Sequence, residues 1–409
     1  MARERGSVRP PRPNVINEIA HPTRISLSLS IRERAPSRGM RALVECRARI
    51  AYPRAYRRGI KPARRAIRAA AAAARRGAPA VEDENVCDVA IVGAGPGGLA
   101  AALALQRAGL DVRVFEQREE FRPAGVAIFI WPHGLNALKY FDPVSCERVI
   151  EAGAVIDNIA IEQLQPGNTE AEELVKIDVA GWSRRMDLPP QIGITWARLT
   201  NALRAGLKPD TVRLAHRLQD LTDEDGEDGV TLTFEPPRGG GEAPPPVRAR
   251  MCVVGADGRN SRVRELAFGA DEKATVNTYA DPAAPEANVY YALSPNPPPG
   301  ANGAGSFNEL RFSLCDGSGI SLLDVGRGNL DIDGKEGGSG GNPASGGQLM
   351  FGTTRFSEPA MTFETPTARL GHLESLFENT TPLLKAAIAS TEPTAVIQTR
   401  LYERDGASR

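Results

Sequence analysis

The residues best able to do chemistry lie in one run, CDVAIVGAGPGGLAAALALQRAGLDVRVFEQ, residues 87–117. Gly93, Gly95 and Gly98 stand at the spacing Gly-x-Gly-x-x-Gly. The first allows a tight turn, the second lets backbone approach a diphosphate, and the third lets helix and strand pack closely. The helix that follows would aim free N–H groups and the positive end of its dipole at phosphate. Glu116 comes 116 − 93 = 23 residues after the first glycine. A carboxylate there accepts hydrogen bonds from ribose hydroxyls and repels a 2′-phosphate, which argues against NADP at this position. Together these residues are suited to holding an adenine dinucleotide.

A second run, CVVGADGRNSRVRE at residues 252–265, reads as a strand ending at Gly255-Ala256-Asp257-Gly258, with a helix from about Ser261. Taken alone, Asp-Gly after a strand is an ordinary turn. The four histidines, His21, His133, His216 and His372, show no pairing pattern and read as structural or exposed. The five cysteines, Cys46, Cys87, Cys146, Cys252 and Cys315, have no paired spacing, so neither a disulfide framework nor a zinc site is expected. Cys87 and Cys252 sit in apolar strand-like runs and read as inert core residues.

The elements that must position these groups follow from hydrophobic periodicity. Residues 86–92 read as a buried strand, 96–108 as a helix and 111–116 as a second strand, a βαβ unit once a third strand joins. Strand character recurs at 127–131, 155–164, 212–222, 230–235, 247–256 and 395–402. Helices are expected at 135–140, 145–152, 196–205, 370–378 and 382–389, the last opening on Thr381-Pro382. A substrate-facing sheet is expected from strands within 150–250 and 285–360. Pro/Gly-rich stretches at 236–247, 295–306 and 334–347 read as surface insertions.

Fifty basic and fifty acidic residues cancel over the chain but not along it. Residues 1–80 hold 20 Lys+Arg against Glu4, Glu18, Glu33 and Glu45, while 81–409 hold 30 against 46. This Arg-rich, acid-poor leader, with a helical PARRAIRAAAAAARR at 62–76, reads as a largely disordered transit peptide for a plastid or mitochondrion. A disordered basic arm or a mis-assigned start codon are the alternatives, with the cytoplasm then the expected compartment. Nucleic-acid binding is not expected, since only Tyr52 and Tyr56 interleave the charges. No run of 18 apolar residues suggests a spanning helix.

The two runs together resemble the class A FAD-dependent monooxygenases, the p-hydroxybenzoate hydroxylase-like aromatic ring hydroxylases, to which salicylate and urate hydroxylases and zeaxanthin epoxidase belong. The resemblance covers residues 86–268, with a thinner echo to Asp405. It implies an α/β fold, a Rossmann-like FAD-binding domain with an inserted, mostly antiparallel substrate sheet. The domains would run 1–80 leader, 81–268 FAD-binding region, 269–394 substrate sheet, and 395–409 the start of a returning FAD-domain segment. It implies FAD held by Gly93, Gly95, Gly98 and Glu116, with Asp257 and Gly258 contacting it and influencing use of NAD(P)H. FRPAGVAIFIWPHGLNAL, residues 121–138, is similar to the stretch that passes under the flavin. Arg122 would correspond to a flavin-contacting position there, and His133 stands where many relatives have Asn. The implied reaction uses NAD(P)H and O2 to hydroxylate or epoxidise an aromatic or alkene-containing small molecule. No catalytic base is nominated.

Two departures accompany the match. WARLTNAL, residues 196–203, resembles a helix whose Arg contacts the cofactor, but Trp196 stands at that position and Arg198 reads as a surface residue. The family's third motif, Gly-Asp-Ala-Ala-His, does not occur, and AVIQTRLYERD at 395–405 looks like the segment just upstream of it. The expectation is a truncated family member. A catalytically impaired FAD-binding-fold protein or a related flavin reductase is the alternative.

Overall fold

The computed structural model describes residues 84–121, 127–164, 171–223, 229–268, 288–294, 308–315, 318–325, 349–355, 361–378 and 380–400. The leader, Arg122 and the insertions at 295–306 and 334–347 lie outside the described residues.

The chain opens with β1 (Val86–Val92), α1 (Pro96–Arg107) and β2 (Val112–Phe115). β1 reads VCDVAIV and is buried on both faces, as a central strand of a parallel sheet must be. Its one charged residue, Asp88, is fully buried and paired to Arg250 (Nη2 2.8 Å, Nε 3.1 Å), and its other oxygen accepts the Asp111 N–H at 2.8 Å. That single carboxylate ties three segments of the sheet together.

β8 (Val212–Arg213), β9 (Arg217–Asp223), β10 (Val230–Glu235) and β11 (Val247–Gly255) complete a six-stranded sheet, ordered β8-β2-β1-β11-β10-β9. β8, β2, β1 and β11 run parallel; β10 and β9 are antiparallel. The Pro/Gly-rich stretch 236–247 is the mostly exposed link from β10 to β11. On one face α1 packs with α2 (Pro132–Phe141), α3 (Pro143–Glu151) and α5 (Trp196–Arg204), around Val89, Ile91, Leu99, Leu103 and Leu199. The other face buries Phe115, Leu232 and Phe234.

A three-stranded sheet, β3 (Ala127–Ile130), β7 (Gln191–Thr195) and β4 (Ala154–Ile156), lies beside this core. The third sheet has seven strands, ordered β16-β12-β15-β14-β13-β5-β6. Its strands are β5 (Asn158–Leu164), β6 (Ala171–Asp178), β12 (Asn288–Ser294), β13 (Glu309–Cys315), β14 (Ser318–Asp324), β15 (Leu349–Arg355) and β16 (Ile397–Arg400). All pairings are antiparallel except β13 with β5. One face is covered by α7 (Pro366–Leu376) and α8 (Pro382–Ala389) through Tyr290, Leu322, Phe351, Leu373 and Leu384. Its other face meets the three-stranded sheet through Ile159, Leu310, Leu323, Ala127 and Ile156.

This sheet crosses the divisions expected at residues 268 and 394. β5 and β6 enter it from the N-terminal half, and β16 pairs with β12. Backbone hydrogen bonding disregards distance along the chain, so sequence blocks and sheets do not coincide. α4 (Val179–Arg185) was not expected and closes the turn from β6 to β7, its N–H at Gly181 taken by Asp178 at 2.6 Å. Cys252 corrects its reading as a core residue, being exposed. β10 pairs with β11 at Val247, Arg248 and Ala249, and beyond them Met251, Cys252 and Gly255 reach solvent. Among the described residues no helix is long and apolar enough to cross a membrane.

Candidate functional site

Parallel register assembles the site. Val92 lies opposite Phe115 on one side and Gly255 on the other. The residues just past the three strand ends, Gly93, Glu116 and Ala256, therefore meet at the carboxyl end of β1. Here the chain departs through α1 to one side while β11 occupies the other, the switch point at which open α/β sheets bind ligands.

Gly93 has φ +106°, and its N–H donates to Phe115 O at 2.8 Å. A side chain there would be driven into the backbone of Ala256 and Asp257. At Gly98 a Cβ would collide with the carbonyl oxygen of Gly93, so the first turn of α1 is pressed onto the glycine turn. Gly95 and Gly97 differ. Among the described residues a Cβ at Gly97 meets nothing within 4 Å, and one at Gly95 meets only Trp196 Cζ2 at 3.9 Å. The turn is thus filled beneath and open above, and α1 starts there with Pro96 and no side-chain cap. Such an end leaves backbone donors for an anion.

Glu116 is half-buried. Its Oε2 accepts the Ala94 N–H at 3.0 Å and its Oε1 the Arg118 N–H at 3.1 Å. Each carboxylate oxygen has a second lone pair, so acceptor capacity for ribose hydroxyls is left. Behind it His216 packs between Phe115 and Phe234 (ring centroids 5.5 and 4.9 Å), its Nδ1–H donating to Leu214 O at 2.6 Å. Burial holds this imidazole below its usual range, so it is a neutral wedge and not a cation beside the glutamate.

Asp257 is held by contacts within the protein. Its Oδ1 accepts from Ser261 Oγ at 2.6 Å, and its Oδ2 from the N–H groups of Arg262 (2.6 Å) and Val263 (3.1 Å). The carboxylate caps α6 (Arg262–Phe268). Its backbone, with that of Ala256, forms the floor against Gly93, and Ala256 N–H donates to Val92 O at 2.8 Å. Gly258 (φ +81°) lies in the same turn, and among the described residues a Cβ there would meet nothing within 4 Å.

Gly93, Gly95, Gly98, Glu116, Asp257 and Gly258 are therefore brought together, and Arg122 lies outside the described residues. The reading of Arg198 as a surface residue is corrected. It is 6 % exposed, and Nη1 donates to Val325 O at 2.8 Å. Two residues now join the site. Trp196 stands beside Gly95, which its place at the start of an amphipathic helix did not announce. Ala256 forms the floor, which only the β1–β11 register reveals.

The seven-stranded sheet supplies a second surface. Across its strands one row runs Tyr291, Gly352, Ser321, Phe312 and Ile161 on neighbouring strands. The row lies on the face opposite Tyr290, hence away from α7 and α8 and beside the contact with the three-stranded sheet. Burial pushes the Tyr291 phenol above its usual range, so it stays protonated at neutral pH. A charged group, Glu162–Arg311–Glu309–Lys176, occupies the opposite face (Arg311 Nη2 to Glu309 2.7 Å, Lys176 Nζ to Glu309 2.8 Å) and is internally paired.

Residues 86–280 match the protein family described as FAD binding domain. The FAD-dependent urate hydroxylase of Klebsiella pneumoniae is 27% identical over 180 residues, covering 44% of this chain and 42% of that protein. The 6-hydroxynicotinate 3-monooxygenase of Bordetella bronchiseptica is 32% identical over 188 residues, covering 45% and 44%. The chain spans less than half the length of these curated relatives. Among solved structures, Klebsiella pneumoniae HpxO complexed with FAD and uric acid superposes with a TM-score of 0.56 at 21% identity, covering 77% of this chain and 68% of that one. The 2,6-dihydroxypyridine-3-hydroxylase from Arthrobacter nicotinovorans gives 0.52 at 17%, covering 77% and 72%. The fold is that of these two structures.

Proposed function

We propose that the protein is an FAD-dependent monooxygenase acting on an aromatic or alkene-containing small molecule with NAD(P)H and O2, a reading supported by the match of residues 86–280 to the FAD binding domain family. The observation that carries this is the convergence of the open glycine turn, the anchored Glu116 and the Ala256-Asp257 floor at one switch point. The residues present fit the adenosine diphosphate end of FAD. Gly93 and Gly98 close the turn from below, Gly95 and the start of α1 leave room and donors for phosphate, and Glu116 accepts from ribose. Ala256 and Asp257 hold the floor against Gly93, Gly258 lies in the same turn, and the resemblance gives Asp257 and Gly258 a contact with FAD. The resemblance adds Arg122 near the flavin.

Bound flavin supplies hydride acceptance from NAD(P)H and transfer of one oxygen atom from O2 to an electron-rich carbon. The protein's own part is to bind, orient and keep water out. In this reading the row Tyr291–Ser321–Phe312–Ile161 forms the substrate platform. Phe312 and Ile161 shed water and favour a flat apolar ring, while the neutral Tyr291 hydroxyl offers one directional hydrogen bond.

Purified protein tests the proposal directly. Flavin absorption bands near one per chain, with NAD(P)H oxidation that rises when a phenolic substrate is added and a product gaining one oxygen, are expected. A folded, colourless protein that takes up no added FAD overturns it. Tight FAD with substrate-independent NAD(P)H oxidation points to a reductase instead.

A further inference from the structure

We propose that Trp196 is a cofactor-contacting residue, its indole forming the side wall of the diphosphate groove beside Gly95; this rests on the dinucleotide reading above. Three observations carry it. The indole edge lies 3.9 Å from where a Gly95 Cβ would be, and among the described residues it is the one neighbour within 4 Å of that position. Trp196 is 42 % exposed although it begins a helix whose Leu199, Ala202 and Leu203 are buried, so its ring is not spent on the core. The helix itself is fixed in place: Thr195 caps it through the Arg198 N–H at 3.3 Å, and Arg198 is bonded to Val325. The ring is therefore held at the groove by a rigid support.

A phosphate seated on the start of α1 would meet this ring on its flank. The ring would exclude water on that side and strengthen the pull of the α1 donors on the phosphate, since electrostatic attraction grows as the local dielectric falls. Trp196 brings an indole N–H but no charge. A cation at the same place would instead add an ion pair that salt weakens.

The test uses tryptophan emission of the whole protein, excited selectively, during titration with ADP and separately with FAD. The chain has three tryptophans, Trp131, Trp182 and Trp196. ADP should change the emission of wild type and of Trp131→Phe, and Trp196→Phe should lose most of that change. Trp196→Ala should weaken ADP binding by about 10-fold, the loss of a large aromatic contact. Trp196→Arg should bind ADP with a steeper salt dependence than wild type. Circular dichroism confirms that each variant is folded. An emission change of undiminished size in Trp196→Phe, or unchanged ADP affinity in Trp196→Ala, overturns the inference and leaves FAD binding standing. Failure of wild type to bind either ADP or FAD by equilibrium dialysis overturns the dinucleotide reading and this inference with it.

Discussion

Arg198 Nη1 donates to the carbonyl oxygen of Val325 at 2.8 Å, joining two residues 127 apart in sequence. Arg198 lies on α5, which packs on the dinucleotide-binding core, and Val325 directly follows β14 of the seven-stranded sheet. A buried guanidinium thus fastens the platform to the layer that carries the glycine turn. Arg198→Met should cost about 2–3 kcal/mol, the value of a hydrogen bond to a charged group, because Val325 O is left without its donor. The urea midpoint reads this; a midpoint equal to wild type would show that the link is dispensable.

Glu116 both anchors the turn through Ala94 and accepts from ribose in the proposed complex. Glu116→Ala should raise the FAD dissociation constant by the equivalent of ~1.5–3 kcal/mol. Glu116→Gln, which keeps one acceptor oxygen, should fall between. A flavin titration giving equal constants for all three would remove the acid from the site.

The glycines should not be equivalent. Gly98→Ala drives a methyl into Gly93 O, and Gly93→Ala forces a side chain onto φ +106° and into Ala256. Each should lose on the order of 2–4 kcal/mol or fail to fold. Gly97→Ala meets open space inside a helix and should be neutral or gain a few tenths up to about 1 kcal/mol. Thermal melts of the three variants, ranked the other way round, would contradict the packing described here.

Asp142 sets an acid limit. It is 1 % exposed; burial alone would raise its pKa, but hydrogen bonds from Ser145 and Arg107 outweigh this and lower it. The unfolded chain then takes up a proton first as pH falls. The carboxylate's contribution is therefore complete above about pH 4, the usual aspartate value, and is lost as pH drops through the lower folded value. Asp142→Asn should be less stable at neutral pH and lose less between neutrality and about pH 3. Parallel acid dependence in the two proteins would count against this.

Thiol chemistry separates the cysteines. Cys87 is fully buried, and desolvation pushes its thiol up to about 12, so it should resist alkylation until the protein unfolds, as should buried Cys146. Exposed Cys252 should be modified in the native state, slowly because its pKa is also raised. Peptide mass mapping after limited iodoacetamide treatment checks the order.

Local order was legible in the sequence because it is local. The run 87–117 states its own geometry, since Gly93, Gly98 and Glu116 each answer a need set within about 25 residues, and α1 and α8 follow from an opening proline and apolar spacing. Residues whose role depends on what arrives from far away were not legible. Arg198 reads as a surface charge until Val325 reaches it, and Cys252 as a core residue until β10 stops pairing. That Asp257 caps α6 is not announced by Asp-Gly after a strand, and Trp196 reads as a bare mismatch until it stands beside Gly95. Helical periodicity and turn chemistry are paid for by neighbouring residues, so composition and spacing determine them. Sheet order, register and burial depend on hydrogen bonds and packing between distant segments, and only the tertiary structure decided them.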